Sequence, residues 1–597
     1  MVLDIVATDN KCISPNGLRV LEKRYLRRNG DNQLTETPEY LFRRVAKSIA
    51  SAEQIYDSNI DLNAVEEEFF RVMANLEFLP NSPALLNAGS NCEQLSSCFV
   101  LPVPDSLEEI FNCLKTATAI CKNGGGLGFN FSNIRPKGSP VNSRVGVAGG
   151  AAALINIFAQ ATDYIRQGGI RCGCNSVTLS IDHPDIFEFI NLKKDPTVLN
   201  NFQNSISVTD NFMAHLKRGE NYALRNPSTG EMAKSINSSD IFNLIVSQAW
   251  SSGDPGLVFL DQINRYNPVP DLGYLDTITG CGEQALLPFE SSMLGSINLA
   301  KMISTDRTGP KIDYAKIRNL VPVAIRFLDN AIDINYFASS EIDLATKLTR
   351  KIGLGVMGFA DMLIMLGIPY NSAAAVEAAK SIMKCINEVA HDTSHKLAKS
   401  RGTFPAWPLS IYKQREFIMR NASCTTIAPT GTLSIIAGVS SGIEPIFAPT
   451  FIRNILDGEK LLEINPYFEE TTRKYGVYGK DLLEQLILGT KLSDIPNIPV
   501  DLQKIFVTAH QISPEWHVEI QSAFQQFTDN AVSKTVNFPN TATKEDISKV
   551  FIMAFERGLK GITVYRDQSR ALQPLCSSEL GLDLIRKRWA EEMESYS

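Results

Sequence analysis

SSCFVLPV (Ser96–Val103), a short β-rich run, leads through a turn into SLEEIFNCLKTATAI (Ser106–Ile120), whose apolar residues fall at helical spacing. The alternation returns in DPGLVFL (Asp254–Leu260) and AKIRNLVPVAIRFLDNAIDI (Ala315–Ile334), and it persists from about residue 80 to about 450. Strands alternating with helices predict an α/β architecture around a central sheet or barrel. Ser106 with Glu109 reads as a capping box. Working outward, the stretch before residue 80 reads as helices: Thr37-Pro38 is an N-cap with proline at N1, and VEEEFFRVMANLEFL (Val65–Leu79) has helical spacing. Residues 450–545 read as mostly helical with Pro- and Asn-rich loops. EDISKVFIMAFERGLKGITVYRD (Glu545–Asp567) is a last α/β piece before a charged helical tail.

The chain has 597 residues, 58 basic and 65 acidic side chains, a net charge of −7, and is 44% apolar. That composition suits an ordinary soluble globular protein with a large core. Without a basic stripe, general nucleic-acid binding is not expected. The weakly polar run VGVAGGAAALINIFAQA (Val145–Ala161) is built of small residues and broken by Asn156, so no membrane span is expected, and the N-terminus lacks a secretory signal. Eleven scattered cysteines without a Cys-x-x-Cys pair indicate a reducing, cytoplasmic setting and no zinc ribbon. His391 and His395 stand at i,i+4 spacing but lack the HExxH glutamate, so they read as surface or structural, with zinc second; no metal ligand set is expected.

Four segments could carry chemistry. KNGGGLGFNF (Lys122–Phe131) either lets backbone N–H groups approach an anion or is a tight turn. APTGTLS (Ala428–Ser434) offers backbone and hydroxyl donors ahead of a helix-compatible run, a phosphate-site pattern, and Asn81-Ser82-Pro83 is a weaker case. TGCGEQ (Thr279–Gln284) is the sharpest: if extended, Cys281 and Glu283 project to one side, where a thiol beside a carboxylate supports nucleophilic or radical chemistry. A buried structural cysteine is the competing reading.

Over nearly its whole length the chain resembles the ribonucleotide reductases, most closely the adenosylcobalamin-dependent class II type. Ordered matches include ETPEYLFRRVA, NSPALLNAG, GGGLGFNFSNIRPKGS, QGGIRCGCNSVTLSIDHPDIFEFINLK, CGEQALLPFESSMLGSINLAK, APTGTLSIIAGVSSGIEPIFA and SPEWHVEIQSAFQQFTDNAVSKTVNFPNTAT. The resemblance implies an N-terminal helical domain (1–80) without an ATP cone, a ten-stranded α/β barrel (81–570) with a finger loop carrying the radical cysteine, and a tail (571–597). Class I relatives need a Tyr-Tyr pair near the C-terminus and class III a glycyl-radical motif; neither is present, which leaves adenosylcobalamin as the implied radical source.

The roles it implies are specific. Cys281 would become a thiyl radical that removes the 3′ hydrogen of a ribonucleoside di- or triphosphate, and Glu283 would take the 3′-hydroxyl proton. Ser82, Ser97 and the segment of Pro429, Thr430, Gly431, Thr432 and Ser434 would bind substrate, with Arg171 toward the base. Lys122, Gly126, Phe129, Arg135, Gly168, Gly169, Cys172 and Cys174 fall in loops implied to serve a dNTP specificity effector. The quaternary implication is a homodimer at most.

Three departures bear on the chemistry. Thr279 stands where the family has asparagine, Ser292 replaces one cysteine of the active-site dithiol whose partner is Cys98, and the tail has only Cys576 in place of a cysteine pair. A serine cannot form a disulfide with Cys98. Either another thiol such as Cys172 or Cys174 (RCGC where relatives carry RRGA) or an external reductant substitutes, or the reaction is a redox-neutral isomerisation or epimerisation. A non-catalytic nucleotide-binding regulator is the third reading.

Overall fold

The computed structural model describes residues 13–141, 147–165, 175–195, 199–455, 459–570, 575–576 and 580–595. Ten strands share one sheet: β1 (Phe78–Pro80), β2 (Cys98–Pro102), β3 (Gly126–Asn130), β4 (Asn175–Ser180), β5 (Phe202–Val208), β6 (Gly256–Phe259), β7 (Ser291–Asn298), β8 (Ile352–Met357), β9 (Thr535–Phe538) and β10 (Gly561–Arg566). Strands β2 to β6 run parallel as neighbours; β10 pairs antiparallel with β6 and parallel with β9. On the other side β7 pairs parallel with β8 and antiparallel with both β2 and β1.

The extended segment 423–428 completes the ring. It bridges β8 at Leu354–Thr425 and the residues ahead of β9 at Ile427–Val532, both parallel, with Leu354 N–H donating to Cys424 O at 2.8 Å and Ser533 N–H to Ile427 O at 2.9 Å. The path of backbone hydrogen bonds thus returns to its start as two parallel halves joined by antiparallel seams, β2/β7 and β6/β10. Strands β2 to β10, with this segment as the tenth, make the ten-stranded α/β barrel, and β1 pairs with β7 beside β2.

Alternation along the strands explains how the barrel is filled. Leu127 and Phe129 of β3 and Val177 and Leu179 of β4 point outward into an apolar layer under the helices Leu107–Lys122 and Gly150–Tyr164. Their neighbours Gly128, Ser176 and Thr178 face inward and are small, because a loop enters the barrel there. A Cβ on Gly128 would collide with the Ile278 carbonyl oxygen.

The N-terminal part is helical as the sequence predicts: Pro15–Arg24, Pro38–Ala50 and Leu62–Ala74, with the Thr37 hydroxyl accepting the Tyr40 N–H. A buried ion cluster ties it to the barrel. Arg401 bridges Glu53 (2.6 Å) and Asp329 (3.0 Å), while Arg350 holds Asp329 (2.8 Å) and Asp333 (2.7 Å).

Two expectations need correction. Ser106 precedes a helix but makes no side-chain cap; the capping box is Thr543 with Asp546. The 450–545 region opens with a β-hairpin, Thr450–Ile455 with Glu459–Ile464, before its helices. The tail helix is present at Leu580–Ser595. No described helix is long and apolar enough to cross a membrane.

Candidate functional site

Thr279 to Gln284 form a finger inside the barrel. Thr279 N–H donates to Gln284 O (2.9 Å), Gly282 N–H donates back to Thr279 O (2.9 Å), and Ile278 bridges Ala285 antiparallel. The segment is a tight turn rather than extended, with Gly282 at φ +79°, a conformation glycine adopts without strain. Its ascending limb lies on β3 and β4, where the Ser176 hydroxyl donates to Ile278 O (2.9 Å) and Thr277 and Thr178 hydroxyls meet at 2.9 Å.

One side of the finger faces a cleft holding about 110 Å³ of water-accessible space. It brings together Cys281, Glu283, Cys98, Ser97, Ser82, Gly126 and the run Pro429–Thr432, which the sequence places far apart. Glu283 is buried, and its Oε1 accepts the Cys98 thiol at 3.1 Å. Burial, and then the Glu283 charge, push the Cys98 thiol well above the usual range, while the Ser97 and Thr279 hydroxyls pull the other way. Cys98 is therefore a protonated hydrogen donor, not a thiolate.

Two short helices begin at the cleft: Ser82–Asn87 with Ser82 in its first turn, and Leu433–Ala437 behind Thr432. Among the described residues no Lys or Arg lines the cleft, so backbone N–H groups and hydroxyls are the donors it offers. Ser82 Oγ meets Tyr25 Oη at 2.8 Å, so the N-terminal helices orient it. Thr430 (φ +55°) accepts the Gly442 N–H at 2.7 Å and Ser434 contacts Ser441 at 2.9 Å; both shape the loop from within.

Ser292 is the direct cross-strand partner of Cys98, but its buried hydroxyl donates to Lys351 O at 3.3 Å and does not line the cleft. Phe129 lies in the outer aromatic core against Phe158 and Phe202, Arg135 pairs with Asp105 at 2.7 Å, and Lys122 is exposed at the end of its helix. Gly168, Gly169, Arg171, Cys172 and Cys174 lie outside the described residues. His391 pairs with Asp529 at 2.9 Å, and His395 stacks on Phe417 at 4.7 Å.

A second, narrow cleft lies across the finger and also reaches Cys281, with Thr279 on its wall. Sequence reasoning missed its polar residues Gln203, Ser205, Gln521, Lys534 and Thr563, because they come from β5, the helix Pro514–Gln525, the residue ahead of β9, and β10. Gln521 Nε2 donates to Val532 O (3.2 Å) and Gly561 O (3.0 Å); its Oε1 is buried with no partner among the described residues. Burial lowers Lys534, whose ammonium is held by Glu444 and by His517 Nδ1 at 2.9 Å.

This geometry is matched by sequence relationship. The family model described as ribonucleotide reductase, barrel domain, covers residues 96–419 and 413–565, and the ribonucleotide reductase all-alpha domain covers 13–93. The chain belongs to the ribonucleotide reductase family. It is 45% identical to the vitamin B12-dependent ribonucleoside-diphosphate reductase of Thermoplasma acidophilum, over 95% of this chain and 80% of that one. It is 41% identical to the protein of the same name from Mycobacterium tuberculosis strain H37Rv, again over 95% and 80%. The ribonucleoside-diphosphate reductase subunit alpha of Chlamydia trachomatis is 28% identical over 96% of this chain and 60% of that one.

Proposed function

We infer that the chain is a vitamin B12-dependent ribonucleotide reductase acting on a ribonucleoside diphosphate. The observation that carries this is Cys281, standing on a finger between two clefts and sharing one of them with Cys98 and Glu283. The names of the relatives at 41–45% identity favour reduction over a redox-neutral rearrangement.

Adenosylcobalamin would stand against the second cleft, where Gln521 Oε1, a buried acceptor without a partner among the described residues, and Gln203, Ser205 and Thr563 would offer it polar contacts beside Cys281. When bound, the cofactor supplies a carbon-centred radical by homolysis of its cobalt–carbon bond. On the chain's side, the Cys281 sulfur, once a thiyl radical, takes the 3′ hydrogen. Glu283 accepts the 3′-hydroxyl proton, and the Cys98 thiol supplies the proton with which the 2′ hydroxyl leaves as water. Ser82, Gly431 and Thr432 anchor the phosphates at the two helix starts.

Reduction at C2′ needs two electrons, and Ser292 cannot share them with Cys98. The second thiol is either in the Cys172/Cys174 loop or on an external reductant. Alanine at both loop cysteines separates these sources: lost turnover assigns the loop, retained turnover the external thiol. We place a deoxynucleotide effector against the loops around Arg135, and a second copy of the chain on the exposed apolar face of Leu107, Phe111, Ile157 and Tyr164. A cytoplasmic setting agrees with cysteines that are scattered along the chain rather than arranged as a disulfide framework.

The decisive experiment mixes the protein with adenosylcobalamin, a dithiol reductant and each ribonucleoside diphosphate and analyses the nucleotides. Formation of a 2′-deoxynucleotide that vanishes in Cys281→Ser is expected. Deoxynucleotide formation persisting in Cys281→Ser would overturn the reading.

A further inference from the structure

The descending limb of the finger, Glu283 to Ala285, is gripped by two consecutive residues, Asn530 and Ala531. Asn530 is buried and uses its whole amide: Nδ2 donates to Gln284 Oε1 (2.6 Å) and Ala285 O (3.3 Å), while Oδ1 accepts from Ala285 N–H (2.7 Å) and Ala531 N–H (3.1 Å). An amide offers two donors and one doubly accepting oxygen, so Asn530 is saturated. Beside it, Ala531 N–H donates to Glu283 O at 3.0 Å, and the Thr426 hydroxyl donates to the same carbonyl at 2.6 Å.

This gripping segment is itself held from behind. The buried Lys560 Nζ donates to Asp529 O (2.5 Å) and Asn530 O (3.0 Å). The Asp529 carboxylate accepts the N–H groups of Cys424 (2.8 Å) and Thr425 (3.2 Å) and the Asn387 amide (3.0 Å), besides pairing with His391. His391, Cys424 and Asp529 offer ligand atoms within 4.8 Å of one another, but a carboxylate so fully engaged is a brace rather than a metal ligand.

We propose that Asn530 is a positioning residue that fixes how far the finger reaches, and so where the Glu283 carboxylate and Cys281 sulfur stand against the sugar. The proposal rests on the reductase reading above. Its lever is short: the Glu283–Cys98 contact is only 3.1 Å, and a misplacement of about 1 Å costs on the order of 100-fold in rate.

The test compares Asn530→Ala, Gln284→Ala and the double variant of the full chain, with adenosylcobalamin, a dithiol reductant and a ribonucleoside diphosphate. Each single variant is expected to lower kcat, Asn530→Ala by about tenfold or more, with KM within about twofold. The double variant should be no slower than Asn530→Ala, because both remove one shared contact. In the nucleotide-free protein, alkylation of Cys98 by iodoacetamide, read by mass spectrometry, should accelerate as Glu283 withdraws. Unchanged kcat, additive losses, or unchanged Cys98 alkylation would overturn the proposal. If the wild type forms no deoxynucleotide, the reductase reading fails, while the alkylation rates still decide the positioning role. If Asn530→Ala does not fold, the alkylation rate of Gln284→Ala decides in its place.

Discussion

At the scale of residues, Cys98 and Glu283 are coupled through one short contact, in which the thiol donates to the carboxylate. The Glu283 charge raises the Cys98 thiol, so Glu283→Gln should lower it. The pH profile of Cys98 alkylation in that variant is expected to move to lower pH; an unmoved profile would show burial alone to be responsible. The sequence made Cys281 and Glu283 visible because they are neighbours, and the Pro429–Thr432 run by its glycine and hydroxyls; the family resemblance brought Cys98. It could not reveal Asn530 or Gln521, whose partners lie on the finger and on other strands. No local pattern distinguishes such an amide from any other. Phe129 shows the converse error, since a glycine-rich run read as one loop is a strand whose alternate residues face opposite sides.

Among the elements, the finger and its bed form the unit most sensitive to volume. Gly128→Ala would place a methyl against the Ile278 carbonyl, an overpacking that costs roughly 1–3 kcal/mol and lifts the finger from its bed. Activity should fall further than the thermal midpoint suggests, measurable as kcat against Tm. Helix Lys544–Glu556 supplies a control remote from the cleft: Thr543→Ala removes its capping box, with an expected loss of about 1 kcal/mol in a denaturant titration and unchanged kcat. Periodicity found the long helices, since their apolar stripes cover a layer. It missed the Thr450–Ile464 hairpin, and it credited Ser106 with a cap that its side chain does not make.

For the molecule as a whole, the Asp329 cluster joins the helical region to the barrel and ties stability to acid. Burial alone would raise Asp329, but Arg350, Arg420 and Arg401 hold it down at about 2. A depressed carboxyl stabilises the fold above its unfolded value and loses that contribution as pH falls toward the folded one. The loss is on the order of 2 kcal/mol and falls between about pH 4 and pH 2. Asp329→Asn should flatten that acid limb and cost about 3–5 kcal/mol at neutral pH, because three buried guanidinium groups lose a shared carboxylate partner. Chemical denaturation across the pH range checks both.

The two chambers meeting at Cys281 have walls from different parts of the ring: β5, β6 and β10 on one side, β2, β7 and the Pro429 run on the other. Two visitors with separate doors need not queue. Corrin and nucleotide should therefore load in either sequence, giving intersecting initial-rate lines and dead-end inhibition of the random type, where a shared entrance would enforce a compulsory order.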